Sequence, residues 1–193
     1  MTTLYRSVVL AVIGLGAALG LGAGAPWLDD MDVPVARQVP LLTRVLSFDR
    51  SLEGAAPLVV AVVYQDQNRA SRQARDAFAR ALAARPATVH GRPVRLVSVE
   101  MGPSLAGRLR RAGADVAYVT PVRGASVRSV AREAGSAGVL TLTGVRSYVG
   151  SGVAVGVGLR DGRPEILLNR RAAEASGADL SSRLLQLATI VND

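Results

Sequence analysis

The chain has 193 residues, 49% of them hydrophobic and only 4% aromatic, which is enough apolar material for one core and points to a single globular domain. Its 23 basic residues are all arginines and give a formal net charge of +8. Because these arginines are scattered among 15 acidic residues, they do not predict a nucleic-acid surface. The absence of cysteine excludes disulfides, thiolate metal sites and a cysteine nucleophile.

Residues 1–25 have the pattern of a secretory signal peptide. Arg6 precedes an uncharged apolar run over residues 8–25, which closes on Ala23, Gly24 and Ala25. A positive start, an apolar centre and a small-residue exit are the marks of a cleaved export signal. We therefore expect a periplasmic mature protein. Since the run is close to the shortest length that spans a bilayer, an uncleaved membrane anchor is the alternative.

The rest of the chain is predicted to be a polar tether over residues 26–34 and one α/β domain over residues 35–193. Helical spacing of apolar residues predicts a helix over 35–48, in which Pro40 fits best in the first turn. The run "PLVVAVVY" (57–64) is typical of a strand buried on both faces. Further strands are predicted at 94–100, 115–120 and 138–143, and helices at 71–85 (capped by Ser71), 103–113 and 126–135. This alternation predicts a mostly parallel sheet flanked by helices.

The pattern changes in the C-terminal part. Asp161 and Gly162 separate two strand-like stretches within residues 152–169, and this dipeptide predicts a β-hairpin. A short helix is expected over 170–177. The segment "DLSSRLLQLATIV" (179–191) spaces its apolar residues along one helical face, so we predict a terminal helix packed on the core.

The sequence offers no catalytic constellation, and we predict that the protein is not an enzyme. His90 is the only histidine and lies in the turn-like stretch "TVHGRP"; no Gly-x-Ser-x-Gly elbow is present. The glycine-rich residues 150–158 lead into the hairpin, so they do not match a nucleotide-binding turn before a helix. Neither a metal nor a cofactor is predicted. An enzyme would need His90 in a pocket with a carboxylate.

The loops after the strands are where a small ligand would bind, because ligands of open α/β sheets sit beyond the carboxyl ends of the strands. These loops carry six candidate binding residues: Asp66, Asn68, Arg69, Ser126, Arg146 and Tyr148. A small-ligand-binding module is therefore one hypothesis and protein binding the other. A deep polar pocket at the strand ends would favour the first, and an exposed apolar patch the second.

The strands "DVAYVT" and "VLTLTG", together with residues 152–191, resemble the YfiR-like (HmsC-like) family of periplasmic regulatory proteins. The matching features are an LT-type strand, a glycine-led hairpin, and a C-terminal segment with paired serines and leucines. They lie at 139–143, 152–159, 165–169, 172–177 and 180–191. The resemblance runs from about Pro40 to the end and is most specific from Val139 onward.

This resemblance implies a regulatory function. The better-known members bind the periplasmic sensing domain of an inner-membrane diguanylate cyclase and inhibit it, which restrains cyclic-di-GMP synthesis and biofilm formation. They tend to be dimeric and use disulfides for redox control, so a homodimer is also suggested here. The chain departs from the family in having no cysteine, and in having Gly144 where many relatives place an acidic residue. The expected function is non-enzymatic binding and inhibition of an inner-membrane sensor protein.

Overall fold

The fold is a mostly parallel eight-stranded sheet with helices packed on both faces. The computed structural model describes residues 31–123 and 127–191. The predicted signal peptide, residues 26–30 of the predicted tether, and Ser126 lie outside the described residues. The predicted α/β fold with a mostly parallel sheet is confirmed. Within the described ranges, no helix is both long enough and apolar enough to cross a membrane.

The helices and strands follow one another closely along the chain. The helices are α1 (Val35–Leu46), α2 (Arg69–Ala84), α3 (Leu105–Ala112), α4 (Val127–Ser136), α5 (Ser147–Gly150), α6 (Arg170–Ala175) and α7 (Ser182–Leu187). The strands are β1 (Leu58–Tyr64), β2 (Thr88–Val89), β3 (Arg92–Glu100), β4 (Val116–Val119), β5 (Leu140–Thr143), β6 (Val155–Arg160), β7 (Arg163–Leu168) and β8 (Thr189–Ile190).

The strand order in the sheet is β2-β3-β1-β4-β5-β6-β7-β8. All neighbouring strands are parallel except the pairs β2–β3 and β6–β7. The chain leaves β1 for β3 on one side and then crosses to β4 on the other side. The strand order therefore reverses between β1 and β4, which is the usual ligand-binding position in open α/β sheets.

Each face of the sheet carries its own apolar core. Val60 and Val62 of β1 face α1 and α2, where the Phe78 and Tyr118 rings lie with their centroids 4.6 Å apart. Val63, the next residue in β1, faces α3 and α4 instead. Because successive strand residues point to opposite faces, a strand covered on both faces must be apolar throughout.

The predicted hairpin is confirmed. β6 and β7 pair antiparallel in unbroken register up to Arg160 and Arg163. Asp161 and Gly162 at the turn have φ values of 51° and 74°. Positive φ at both central residues is the geometry of a two-residue type I′ turn, and aspartate followed by glycine tolerates it well.

The position of Pro40 in α1 and the cap of α2 differ from the predictions. Pro34 has φ −56° and ψ 137° just before α1, so the helix begins at Val35 and Pro40 falls in its second turn. Asn68, and not Ser71, caps α2 with its side-chain oxygen. The Ser71 hydroxyl is buried and accepts a hydrogen bond from the Gln65 N–H at 2.8 Å.

The terminal helix is much shorter than predicted. α7 ends at Leu187, and Thr189 and Ile190 form β8 parallel to β7. The Val191 N–H donates to the Leu168 carbonyl at 2.9 Å. The edge of β7 supplies backbone partners that the sequence pattern cannot reveal, and the β-branched residues at 189–191 suit a strand. Leu184 is the buried residue of α7, while Leu187 is 64% exposed.

The N-terminal end of the described chain packs on the domain. Met31 and Val33 are only 7% and 2% exposed and belong to the core beside α1. These residues were expected to lie in a polar tether, but their apolar side chains fill space against the helices. The burial of apolar surface stabilises this arrangement.

The buried carboxamide of Gln38 fills the space next to Gly144. Its Nε2 donates to the Val33 carbonyl at 2.5 Å, and its Oε1 accepts from the Tyr118 hydroxyl at 2.7 Å. Burial raises the pKa of Tyr118, so this hydroxyl stays protonated as a donor. A Cβ on residue 144 would overlap the Gln38 carboxamide. Therefore a larger side chain at this position, such as the acidic residue that the resemblance leads us to expect, has no room beside Gln38.

We expect Gly144→Ala to destabilise the protein by about 1–3 kcal/mol, because overpacking forces side chains out of their preferred positions. In a Gln38→Ala background, Gly144→Ala should lower the free energy of unfolding by clearly less. Urea unfolding of the wild type, the two single variants and the double variant measures this coupling. Gly135→Ala is the control, since a Cβ there meets nothing within 4 Å. Equal costs of Gly144→Ala in both backgrounds would contradict this account.

Candidate functional site

The carboxyl ends of β1 and β4 meet at the point where the strand order reverses. The loop after β1 contains Gln65, Asp66 and Asn68, and residues 121–123 follow β4. Thr120 joins the two strand ends, because its hydroxyl donates to the Val63 carbonyl at 2.9 Å. Parallel strands bring both loops to one edge of the sheet, so this edge is the place to look for a ligand site.

Gln65 holds the loop after β4 with both ends of its amide. Its Oε1 accepts from the Arg123 N–H at 2.7 Å, and its Nε2 donates to the Arg123 carbonyl at 2.8 Å. A side-chain amide that pairs with one backbone residue in this way satisfies a donor and an acceptor at once. Gln65 is not among the six residues predicted from the sequence, although it is the first residue after the strand.

Asn68 and Tyr148 contact the same loop. The Asn68 Oδ1 caps α2 by accepting from the Ala70 N–H at 3.1 Å, and its Nδ2 donates to the Pro121 carbonyl at 3.2 Å. The Tyr148 hydroxyl accepts from the Val122 N–H at 3.0 Å and lies 3.3 Å from the Val122 carbonyl. Three side chains from two elements, the β1–α2 loop and α5, thus satisfy the backbone of residues 121–123.

The structure brings together only some of the six candidate residues. Asn68 and Tyr148 converge on residues 121–123, but their hydrogen bonds go to the protein itself. Asp66 is exposed on the loop before α2, and Arg69 is exposed as the first residue of α2. Arg146 points to a different cluster, and Ser126 lies outside the described residues. The role of the six residues in binding a ligand stays a prediction.

Arg146 belongs to a cluster around the Glu165 carboxylate on β7. Glu165 contacts the Arg146 guanidinium, lies 3.0 Å from Arg160 Nε, and accepts from the Thr189 hydroxyl at 3.1 Å. Its side chain is 10% exposed. Burial opposes ionisation of this carboxylate, but hydrogen bonds from Arg146 and Thr189 and the charges of both arginines outweigh it and lower the pKa of Glu165.

A cavity of about 520 Å³ lies beside this cluster and is lined in part by Asp32, Arg146, Ser147 and Thr189. The adjoining C-terminal segment carries the exposed large apolar side chains of the described residues, Leu187 and Ile190, which are 64% and 42% exposed. We call Arg146, Glu165, Leu187, Thr189 and Ile190 the C-terminal surface. It combines a largely buried carboxylate, paired with exposed arginines, with apolar side chains open to solvent, a combination suited to contact with another protein.

His90 is engaged in the fold. The His90 ring lies with its Nε2 2.9 Å from the Asp49 carbonyl oxygen, in a turn where His90 itself has φ 49°. Among the residues that the structure describes, no group of three or more histidine or acidic side chains could hold a metal ion.

Comparison with known proteins gives a family and a fold. A family model described as YfiR/HmsC-like matches residues 52–189. No curated protein matches the chain. A conserved domain protein from Vibrio cholerae is 17% identical with a TM-score of 0.54, and the match covers 83% of this chain and 60% of that one.

Two further solved structures share the fold, with similar sequence identities and TM-scores. One is the ABC domain of Streptococcus pneumonia in complex with L-Trp, at 16% identity and TM-score 0.54, covering 82% of this chain and 60% of that chain. The other is the ligand-free, open form of a substrate-binding protein with adhesive properties from Clostridium difficile, at 15% identity and TM-score 0.56, with 83% and 60% coverage. The chain thus spans 60% of the length of each of these structures.

Gln65→Ala should loosen residues 121–123, because it removes both hydrogen bonds to the Arg123 backbone. We expect a loss of about 1–2 kcal/mol of unfolding free energy and faster hydrogen exchange at the Arg123 amide. The neighbouring exposed residue supplies a control, Gln67→Ala, which should change neither. Unchanged exchange at Arg123 in Gln65→Ala would show that the loop is held by other contacts.

Acidification should test the Glu165 cluster. Because the pKa of Glu165 is lowered in the folded protein, its ionisation stabilises the fold above the ordinary carboxyl value of 4.5. This contribution is lost as the pH falls from about that value through the lowered one. Unfolding free energies from about pH 6 to about pH 3 should fall more steeply for the wild type than for Glu165→Gln. Glu174→Gln, whose exposed carboxylate pairs with Arg170, is the control and should follow the wild type. Parallel curves for the wild type and Glu165→Gln would contradict the role given to this carboxylate.

Proposed function

The chain belongs to the YfiR/HmsC-like family, whose role is periplasmic and regulatory, and from this premise we propose that it binds an inner-membrane sensor protein and inhibits it. A diguanylate cyclase is the proposed partner, so the protein would restrain cyclic-di-GMP synthesis and biofilm formation. Members of the family act through partner proteins and are generally non-enzymatic. We also propose export by the signal peptide at residues 1–25, and homodimer formation.

The exposed apolar pair at the C-terminal surface is the observation that carries protein binding. Leu187 ends α7, and Ile190 lies in β8, the last strand in the sheet order. Burial of a leucine-sized side chain contributes about 1.5–3 kcal/mol, which is enough to anchor a contact. The Arg146–Glu165 pair would supply polar contacts and orientation around this apolar centre.

Inhibition would follow from a shift in the partner's conformational equilibrium. A regulator that binds the inactive state of a sensor more tightly than the active state lowers the active population by that difference in affinity. A rigid binding surface helps, because little entropy is lost on docking. β7 and β8 are joined by backbone pairing and by the Thr189–Glu165 hydrogen bond, which supports such a surface.

A small-ligand-binding module is the second candidate, and the cavity lined by Asp32, Arg146, Ser147 and Thr189 favours it. One structural neighbour is described as holding L-Trp and another as a substrate-binding protein. In this chain, however, the crevice between β1 and β4 is bridged by Gln65, Asn68 and Tyr148. That bridging supports protein binding over ligand capture at the strand ends.

The first experiment is a pull-down with tagged protein from residue 27 against solubilised inner membranes of the host. Recovery of a membrane protein with a cytoplasmic cyclase domain supports the proposal, and the recovered cyclase should lose activity when the protein is added. If no membrane protein is recovered and a metabolite from a screen raises the melting temperature of the protein instead, the ligand-binding hypothesis replaces the proposal of partner inhibition.

Leu187→Glu should weaken binding to the recovered partner by about 10-fold to 100-fold, which is what the loss of a buried leucine contact is worth. Surface plasmon resonance with the purified sensing domain measures the change. Ala83→Glu places the same charge on an exposed position of α2 and should bind like the wild type. Equal affinities of Leu187→Glu and the wild type would remove the C-terminal surface from the interface.

A further inference from the structure

The outer edge of β3 is open over most of its length. On its inner side β3 pairs with β1 from Val94 to Glu100 without a bulge. On its outer side β2 covers only Arg92 and Pro93, and the Val94 N–H donates to the Ala87 carbonyl at 2.9 Å. From Leu96 to Glu100, no strand among the described residues covers this side.

The backbone alternation tells which groups point outward. The Val94 N–H points away from β1, whereas the Met101 N–H donates to the Tyr64 carbonyl of β1 at 2.6 Å. Successive residues of a strand present their N–H and C=O to opposite sides. The N–H groups of Leu96, Ser98 and Glu100 therefore point outward, as do the carbonyls of Leu96 and Ser98.

At the opposite end of the sheet, β8 covers only Leu167 and Leu168 of β7, and the uncovered part of β7 is interrupted by Pro164. β2 and β8, which are last in the strand order, have only two residues each. Very short edge strands, bulges and prolines are the usual means by which proteins block strand addition. β3 has its proline at Pro93, inside the stretch that β2 already covers.

The surroundings of this open edge are basic. Arg95 is exposed on β3, and α3, which packs on the β3 side of the sheet, carries the exposed Arg110 and Arg111. Arg108 of α3 also reaches the end of β3, where its Nη1 donates to the Glu100 carbonyl at 3.1 Å. β3 itself carries one acidic side chain, that of Glu100.

We propose that the open β3 edge, Leu96 to Glu100, binds an extended acidic segment of a partner protein as an added strand. The outward N–H and C=O groups supply the affinity by main-chain pairing, and Arg95 with the arginines of α3 selects acidic side chains. A second copy of this chain is the less favourable occupant, because it would bring two sets of these arginines together on a protein of net charge +8. This site is separate from the C-terminal surface, which lies at the other end of the strand order.

The test uses two short synthetic peptides, one alternating threonine and glutamate and the other alternating threonine and lysine. We expect the acidic peptide to bind and to shift the NMR amide signals of Leu96 and Ser98, and the basic peptide not to bind. Ser98→Pro removes one outward N–H while leaving the ladder to β1 intact, since edge strands tolerate proline where the N–H faces solvent. Ser98→Pro should lower the affinity for the acidic peptide by at least about tenfold, whereas Ser98→Ala should bind this peptide with the affinity of the wild type.

Arg95→Glu keeps the proposal testable should Ser98→Pro fail to fold. Arg95→Glu should also lower the affinity for the acidic peptide. Arg163→Glu, at the exposed start of β7, should leave this affinity unchanged. Binding of both peptides alike, or amide shifts that lie away from β3, would overturn the proposal. Sedimentation of the wild type and Ser98→Pro gives a further check: self-association that is lost with the proline would make the occupant a second copy, and the proposal would fall.

Discussion

The complete burial of β1 is the constraint on which the rest of the structure depends. Strands pair with β1 on both sides, and helices cover both of its faces. Most of its side chains therefore pack into one or the other of the two apolar cores. A continuous apolar run is the only kind of sequence that suits such a position. With β1 in the centre, β3 and β4 pair on its two opposite sides. The connections after β1 and β4 therefore diverge, which forms the crevice at the carboxyl end of β1.

This crevice serves stability in the present chain. The backbone of residues 121–123 is hydrogen-bonded by the side chains of Gln65, Asn68 and Tyr148. These bonds satisfy polar groups of the loop that would otherwise have no partner, and they hold the loop in place. The two binding surfaces proposed above lie towards the periphery of the sheet, where backbone and apolar groups are open. The match to the YfiR/HmsC-like family, which supports a periplasmic regulatory role, is in keeping with this distribution.

Local signals predicted much of the fold. The β1 run, the alternation of strands and helices, and the Asp161-Gly162 turn depend on neighbouring residues and were predicted well. Partners far away in sequence decided the rest: β8 forms because the β7 edge is available, and Met31 is buried because the helices leave a space for it. The site illustrates the same limit. Topology identified the loops, but the pairing of Gln65 with Arg123, 58 positions apart, has no signature in either segment.

The contact between Gly144 and Gln38 has a consequence for how the family varies. The residue after β5 and the residue on α1 compete for one volume, so a relative with an acidic side chain after β5 must have a smaller or differently placed residue on α1. The two positions should therefore covary across the family. Because the family match begins at residue 52, α1 lies outside it, and this partner position would be overlooked when the acidic residue is compared alone.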